Sequence, residues 1–468
     1  MTSPLLPLPA AVALLSAFLL AAASEFTVVT TSDSPALVDA PQTGFSARAR
    51  TDPAEQAAVY EIMAATGNGW ASSIPDVCRG RWHGIECMPD RDEVYHIVSL
   101  SFGALSDDTA FPACDRRRST LSPALACLPH VRGLFFYQCF SGNPQPVPAF
   151  LGRLGATLRS LVLRQNGHVG AIPPELRNLT SLRVLDLHGN SLSSSIPPSL
   201  AALPRLHLLD LSRNQLTGEI PRFSLPSVSV LDLNDNLLHG QIPASLGSCA
   251  SLIKLDLSKN RLSGTIPSSL GELRELILLD LGHNRLSGPL PASLGRLASL
   301  KALILGANHM GPAAFPDGAF EGMRALTTLV LSGTGLRGPI PESIGRITTL
   351  RVLYLDDNHL NGSVPASFRD LGSLSELRLD GNQLSGPLPF SRQVLWRMGR
   401  KLKVSNNPGI CYNASAGERG NREASYLPGA GPCGAVSATA TMSTTGTRAP
   451  AVASAATAAA SRGSPGGH

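Results

Sequence analysis

The chain repeats a leucine-rich unit of 24 residues, and this repeat constrains its fold more than any other feature of the sequence. The unit reads LxLxxNxLxGxIPxxLGxLxxL, as in the segment from Leu255 to Pro267. Ten of eleven successive asparagine positions hold Asn, and the other holds Thr; the positions are 166, 190, 214, 236, 260, 284, 308, 334, 358, 382 and 407. A period of this length predicts stacked coils rather than separate globular domains.

Each part of the unit has a physical role. The Leu-x-Leu pair predicts a short strand that buries alternate side chains. The Asn is expected to turn inward and to satisfy backbone groups that neighbouring coils leave unpaired, so Thr334, with fewer bonds to offer, predicts a looser coil. In nine of the ten coils from 166 to 382 an apolar–Pro pair follows the Asn position by six and seven residues. Proline there is expected to stop helix formation and to favour an extended outer strand.

No coil of this kind can bury its leucines alone, so the repeat predicts an α/β-type leucine-rich repeat solenoid with a parallel sheet on its concave face and capped ends. At the N-terminal end, Asp52 is the expected N-cap of a helix that continues to Ala65, with Pro53 and Glu55 at its first and third positions. The coil from Asn308 lacks the apolar–Pro pair and is the main irregularity of the array.

The eight cysteines suggest that disulfides close both ends of the solenoid. The candidate pairs are Cys78 with Cys87, Cys114 with Cys139, and Cys411 with Cys433. Cys139 also occupies the Asn position of an earlier, divergent coil. Cys127 and Cys249 are left over, and the sequence does not decide between buried thiols and other partners.

The flanking segments predict an exported protein with five parts. Residues 1–24 read as a signal peptide with a small-residue cleavage context, although its first residues lack Lys and Arg. Residues 25–97 are an N-terminal extension and cysteine cap, 98–407 the solenoid, 408–433 a C-terminal cysteine cap, and 434–468 a disordered tail of Ala, Ser, Thr, Gly and Pro. The sequons at Asn178, Asn361 and Asn413 agree with export.

The composition and motifs exclude several functions. A net charge of +5 spread over 468 residues does not resemble a nucleic-acid footprint. Two GxGxxG strings, beginning at Gly333 and Gly429, lack the strand–loop–helix context of a nucleotide site. No HExxH, CxxC or P-loop motif occurs, and only 35 residues follow Cys433. We therefore expect no enzyme activity, cofactor, metal site or kinase domain.

The predicted strands place two sets of candidate binding residues on the concave face. Asp186, Asp210, Asp232, Asp256 and Asp280 share one strand position, which indicates either a strip for basic ligands or carboxylates with only local hydrogen bonds. The same position then holds Ile304, Val330, Tyr354 and Arg378. An exposed cluster of this composition is typical of an interaction hot spot.

Basic side chains just before the Asn positions form a further candidate set. They are Arg164, His188, Arg213, Lys259 and His283. Charged residues on a solvated face are ordinary, so this set is either a partner-binding surface or plain surface. Trp396, in a basic insertion, is expected either to dock a partner or to cover the last coil.

The apolar–Pro coils with a Cys-flanked Trp cap resemble plant extracellular leucine-rich repeat receptors. A narrower resemblance, to receptor-like proteins of stomatal patterning, rests on four segments outside the regular coils: 26–29, 41–45, 78–90 and 98–112. It runs from about residue 26 to 411. It implies a kinase-less cell-surface co-receptor that pairs with ERECTA-type receptor kinases and discriminates among secreted cysteine-rich epidermal patterning factor peptides.

One departure from that family supports an alternative. Its members usually end in a hydrophobic segment, whereas this sequence ends in Ser-Pro-Gly-Gly-His468. We expect no intrinsic membrane insertion, with the cell surface reached through the partner or through a missing C-terminal segment. The alternative is a secreted inhibitor of cell-wall hydrolases similar to polygalacturonase-inhibiting proteins, which share this coil type.

Overall fold

A computed structural model describes residues 49–80, 82–103, 111–223, 225–316, 318–413 and 429–433. The predicted signal peptide, the first part of the N-terminal extension and the predicted tail lie outside these residues. Across the part of the chain that is described, we find no helix with the length and apolar character needed to span a bilayer.

Stacked coils place one strand each in a long sheet, the concave sheet. Its strands are parallel except for the hairpin between 85–89 and 94–102, which is antiparallel. In the described residues the strands are Arg50–Thr51, Ile85–Pro89, Val94–Phe102, Gly133–Tyr137, Ser160–Arg164, Val184–Asp186, Leu208–Asp210, Val230–Asp232, Lys254–Asp256, Leu278–Asp280, Ala302–Ile304, Thr328–Val330, Val352–Tyr354, Glu376–Arg378 and Leu402–Lys403.

Shorter outer strands form three small parallel sheets on the opposite side of the coils. One pairs Val169–Gly170 with Ser191–Leu192, and the second joins His239–Gln241, Arg261–Gly264 and Arg285–Leu286. The third joins Arg337–Pro339, His359–Gly362, Gln383–Pro387, Gly409–Tyr412 and Gly431–Pro432.

The prolines of the repeat start short 3₁₀ helices, which corrects the sequence-based expectation in part. The extended strands precede the apolar–Pro pair, and Pro267, for example, is the residue just before a 3₁₀ helix. A fixed φ suits that helix entry as well as it suits a strand. The 3₁₀ helices are Gly69–Ser73, Pro123–Cys127, Ala149–Leu154, Pro174–Asn178, Pro198–Ala202, Ala244–Ser248, Ser268–Glu272, Ala292–Arg296, Glu342–Arg346, Ala366–Asp370 and Gly399–Lys401.

The leucines of the repeat form one continuous core from the N-terminal helix to the last coil. The middle residue of each three-residue concave strand, such as Leu255 and Leu279, is fully buried. The first coils use larger side chains instead: the rings of Phe102 and Phe136 stack at 5.0 Å, and Phe140 packs against Phe136 at 5.6 Å. The core is therefore shared between neighbouring coils, as the repeat predicts.

A buried ladder of asparagine side chains joins the coils, as the sequence indicates. In a typical step, Asn214 Oδ1 accepts from the Leu192 backbone N–H at 3.0 Å, and Nδ2 donates to the Leu187 and Leu211 carbonyls at 3.0 Å. The same pattern recurs at Asn236, Asn260 and Asn284. Each amide satisfies groups that no water could reach.

The ladder changes at position 334. The Thr334 hydroxyl lies 2.9 Å from the Leu331 carbonyl of its own coil and 3.0 Å from Asn358 Oδ1 of the following coil. An Asn there would reach back to Leu305, whose carbonyl instead accepts from Asn308 alone among the side-chain amides described. Thr334 thus offers fewer bonds, as expected.

The three predicted disulfides all form: Cys78–Cys87, Cys114–Cys139 and Cys411–Cys433. Cys139 also takes the expected Asn position, since its backbone N–H donates to Asn166 Oδ1 at 2.7 Å. The two leftover thiols differ, because Cys127 is exposed and Cys249 is buried.

The N-terminal cap contains helix α1, Pro53–Ala65, and helix α2, Arg392–Met398, follows the last complete coil. The Asp52 carboxylate caps α1 by accepting from the backbone N–H groups of Ala54 and Glu55, at 2.9 and 3.0 Å. The reciprocal half of a capping box is missing, because the Asp52 N–H donates to the Tyr95 carbonyl. The Glu55 carboxylate points to other groups instead.

We expect Asn214→Ala to lower the free energy of unfolding by about 1–3 kcal/mol, because it leaves the buried Leu192 N–H without its acceptor and removes one of the donors to the Leu187 and Leu211 carbonyls. Urea-induced unfolding followed by circular dichroism measures this. The matched control is Gln215→Ala, since Gln215 is exposed and adjacent. Equal free energies of unfolding for the two variants would contradict a stabilising role of the asparagine ladder.

Candidate functional site

The five aligned aspartates form the predicted row across the concave sheet. Asp186, Asp210, Asp232, Asp256 and Asp280 pair in direct register from strand to strand. Four of them accept a hydrogen bond from the backbone N–H two residues later, which is the local pattern expected if the row is structural. Asp232 accepts the equivalent hydrogen bond from the Asn234 backbone N–H at 3.2 Å.

The carboxylates are more buried than a solvated row would be, and two of them are paired with cations. Asp186 is 2% exposed and lies 3.2 Å from Arg164 Nε. Asp232 is 5% exposed and accepts from Lys254 Nζ at 2.7 Å. Although burial alone would lower the Lys254 pKa, the attraction of Asp232 and Asp256 raises it to about 12. These two aspartates therefore bind cations of the protein itself in addition to making the local hydrogen bonds that the second interpretation expects.

The remaining members of the row have raised pKa values. Burial, together with repulsion from Asp186 and Asp232, raises the pKa of Asp210 to about 8. Burial likewise raises the pKa of Asp256 well above its ordinary value and that of Asp280 to about 6. Crowded carboxylates in low dielectric resist simultaneous ionisation. The row is consequently a weak attractant for basic ligands.

Tyr354 and Arg378 of the predicted hot spot contact each other, but the Tyr354 side chain is covered by its neighbours. Arg378 lies over the Tyr354 ring at 4.3 Å, and the Tyr354 hydroxyl donates to Glu376 Oε1 at 2.5 Å. Arg378 also reaches Glu376 at 3.4 Å, while its buried Nε has no hydrogen-bond partner among the described residues. Tyr354 is only 2% exposed. The expectation of an exposed Tyr is wrong, because its neighbours cover it.

Ile304 is also buried, at 6% exposure, against the expectation of an exposed aliphatic side chain. It packs with Leu278 and Ala302, and Val330 lies partly buried against them. These residues occupy the first and third positions of neighbouring strands, so they form a small apolar patch on the concave face. Of the four predicted hot-spot residues, Val330 and Arg378 are half-buried and the other two are buried.

Two of the predicted basic residues, His188 and Arg213, meet in a cleft of about 390 Å³. Its other lining residues are Arg116, Gln138, Ser141, Gln165 and Gly189. His188 Nδ1 lies 2.7 Å from the Ser212 hydroxyl. Burial, with repulsion from Arg164 and Arg213, lowers the His188 pKa to about 4, so its ring is neutral near pH 7. The cleft offers amide, imidazole and guanidinium groups to a polar ligand.

Arg213 projects from a left-handed turn that the repeat places just before each ladder asparagine. Its φ is 53°, and Lys259 and His283 have φ values of 53° and 55° at the equivalent position. All three side chains are exposed. Arg164 differs, because its ion pair with Asp186 holds it against the sheet. The set of basic residues therefore has three parts. His188 and Arg213 line the cleft, Lys259 and His283 lie farther along the same edge, and Arg164 is paired within the protein.

Other predicted surface residues lie as follows. Trp396, on α2, is 66% exposed, so it does not cover the last coil as a buried side chain. The sequon residues Asn178, Asn361 and Asn413 are all exposed, which leaves them accessible to glycosylation.

A basic edge on the other side of the concave strands was missed from the sequence. Arg132, Arg159, Arg183 and Arg205 line a cavity of about 310 Å³ together with His130. Burial and mutual repulsion lower the pKa of Arg159. No carboxylate in the described residues lies within ion-pair distance of these arginines. The available signal was an arginine directly before three successive concave strands, at Arg132, Arg159 and Arg183.

Metal-binding capacity is confined, among the residues described, to one group: Glu55, His96 and His130 at the N-terminal end. The aspartate row does not bring three ligand atoms together in this way. The GxGxxG string that begins at Gly333 leads into the outer strand Arg337–Pro339, rather than into the helix of a nucleotide-binding strand–loop–helix turn.

The aspartate row predicts a pH dependence. The Asp210 pKa is higher in the folded chain than its ordinary value near 3.8, so its contribution is favourable below pH 4 and is lost as the pH rises toward 8. We expect Asp210→Asn to stabilise the protein by about 2 kcal/mol at pH 8 and by much less at pH 4. Thermal unfolding at both values measures this. Asp370→Asn, at an exposed position, is the control. A pH-independent difference would contradict the assignment.

Comparison with known families agrees with the geometry of the coils. Leucine rich repeat models match residues 156–216, 227–249, 250–310 and 349–371. Among solved structures, the plant peptide hormone receptor RGFR1 in complex with RGF2 has a TM-score of 0.57 and 32% identity, covering 63% of this chain and 46% of that one. The PEPR1–AtPEP1 structure has a TM-score of 0.59 and 26% identity, covering 77% and 52%.

One curated relative is more similar in sequence. Protein TOO MANY MOUTHS of Arabidopsis thaliana is 65% identical over 165 residues, which are 34% of this chain and 33% of that protein. The chain spans about a third of the length of the curated relatives it matches. The repeat and the disulfide-capped solenoid show a leucine-rich repeat fold, and these comparisons make the chain similar to plant leucine-rich repeat receptor-like proteins, TOO MANY MOUTHS among them.

Proposed function

We propose that the chain is a cell-surface co-receptor that pairs with an ERECTA-type receptor kinase and tunes its recognition of secreted epidermal patterning factor peptides, thereby controlling stomatal patterning. The observation that carries the proposal is the 65% identity to TOO MANY MOUTHS. One solved structure of this fold is a plant peptide hormone receptor, RGFR1 in complex with RGF2, which supports a peptide as the ligand. The partner and the peptide class come from the resemblance of the N-terminal segments.

The contact surface we favour is the polar cleft with its adjoining exposed edge. Arg213 is exposed beside the cleft, whereas Arg164 and Lys254 are engaged in ion pairs and Tyr354 is covered. Guanidinium and amide groups that are free of internal carboxylates can bond a partner without first breaking a buried pair. The mechanism is binding alone: the solenoid adds surface to a composite pocket and changes which peptide the kinase partner accepts.

The direct test is the affinity of the secreted chain, residues 25–468, for an ERECTA-type ectodomain with and without an epidermal patterning factor peptide. Surface plasmon resonance is expected to show binding whose affinity or selectivity changes with the peptide. A folded protein that binds under no peptide condition would refute the proposal. Inhibition of a polygalacturonase by the same preparation would then favour the inhibitor function.

Within that assay, Arg213→Ala is expected to weaken partner affinity at least about tenfold, which corresponds to 1.4 kcal/mol. The matched control is Arg261→Ala, because Arg261 is an exposed arginine on an outer strand two coils away. Equal affinities of the two variants would remove the cleft as the contact surface while leaving the pairing itself intact.

A further inference from the structure

Three side chains from distant parts of the sequence converge beside the N-terminal helix. Glu55 Oε1 lies 2.7 Å from His96 Nδ1 and 2.9 Å from His130 Nδ1. Glu55 belongs to the first turn of α1, His96 to the strand 94–102, and His130 to the turn before the strand 133–137. The one potential ligand atom from each residue lies within 4.8 Å of the other two.

The two imidazoles are neighbours because their strands are neighbours. Ser99 pairs with Gly133, and each histidine lies three residues before its member of that pair. The ring centroids are consequently 3.9 Å apart, and both Nδ1 atoms face the same carboxylate oxygen. The Glu55 side chain is 3% exposed, His96 16% and His130 50%, so the group is closed on the protein side and open on the other.

Outer contacts orient two of these side chains as they do in metal sites. The second oxygen of Glu55 accepts from the Ile97 backbone N–H at 2.7 Å. The far nitrogen of His96 lies 3.4 Å from Asp90 Oδ2. A metal-binding histidine nearly always donates its other N–H to a carboxylate or carbonyl, and this contact sets its tautomer and orientation.

We propose that Glu55, His96 and His130 bind a divalent transition-metal ion such as Zn²⁺. Two imidazoles and one carboxylate are a ligand set that Zn²⁺ accepts, and three protein ligands leave one position open. Bonds of about 2.0–2.2 Å place tetrahedral ligand atoms roughly 3.3 Å apart, so each oxygen–nitrogen distance lengthens by about half an ångström. The exposed edge at His130 accommodates that movement.

The ion would replace the two Nδ1 protons that now lie between the histidines and Glu55. It would then join α1 to the first two coils through three elements of structure, so binding stabilises the folded chain. The carboxylates of Glu55 and Asp90 offset the charge of the ion. This role at the cap is independent of the partner surface around Arg213.

The experiment titrates the tag-free secreted chain with ZnCl₂ by isothermal calorimetry and records the visible spectrum of the Co²⁺ form. We expect one site per chain, a tetrahedral-type Co²⁺ band and a rise in melting temperature with Zn²⁺. MgCl₂ should cause none of these, since Mg²⁺ prefers oxygen ligands in octahedral geometry.

Two variants and one control locate the site. His130→Gln keeps a hydrogen-bond donor near Glu55 but removes an imidazole ligand, and we expect at least a tenfold loss of Zn²⁺ affinity. Asp90→Asn is expected to cost about 10–100-fold through the orientation of His96. His239→Ala, at an exposed histidine on an outer strand, should bind as the wild type does.

Two results would overturn the proposal. Absence of saturable Zn²⁺ binding by the folded wild-type chain would leave the three residues as a hydrogen-bonded network only. Wild-type affinity in both His130→Gln and Asp90→Asn would place the metal elsewhere on the surface. Circular dichroism of each variant, compared with the wild type, establishes that the measured protein is folded.

Discussion

The buried asparagine ladder is the interaction on which the rest of this structure depends. A coil of 24 residues turns its backbone inward between the concave strand and the outer strand, and the groups exposed by that turn have no water to bind. One amide per coil supplies both an acceptor and donors, so each coil is completed only by the next. Stacking is therefore enforced by hydrogen bonding as well as by the shared leucine core.

The same regularity shapes the concave surface. Because every strand is in register, side chains that share a repeat position become rows, and five aspartates in one row repel each other. The protein offsets this with Arg164 and Lys254 and with raised carboxylate pKa values. At the edges of the rows, by contrast, arginines such as Arg213 and Arg183 have no carboxylate within ion-pair distance among the described residues, which is why we propose an edge as the partner surface.

The fold could be predicted from the sequence because it depends on residue types that recur about every 24 positions and can be aligned directly. The solenoid, the N-cap at Asp52 and the three disulfides follow from such local or periodic signals, and the structure confirms them. The exposure of Tyr354 could not be predicted in the same way. Its burial depends on Glu376 and Arg378 in the next coil, whose side chains fold back over the ring. A repeat position specifies a row, but the neighbours decide whether its members are accessible.

The sequence by itself determined the coil, its period and the chemistry available at each repeat position, because these are encoded within a few residues of one another. Only the tertiary structure decided which charged side chains form ion pairs within the protein and which distant groups converge. Glu55, His96 and His130 are separated by 41 and 34 residues and share no common motif. The Ile97 N–H that holds the Glu55 carboxylate and the pairing of strands 94–102 and 133–137 nevertheless bring both imidazoles to one carboxylate oxygen. Convergence of this kind depends on how elements pack, and packing is a property of the whole chain rather than of any segment.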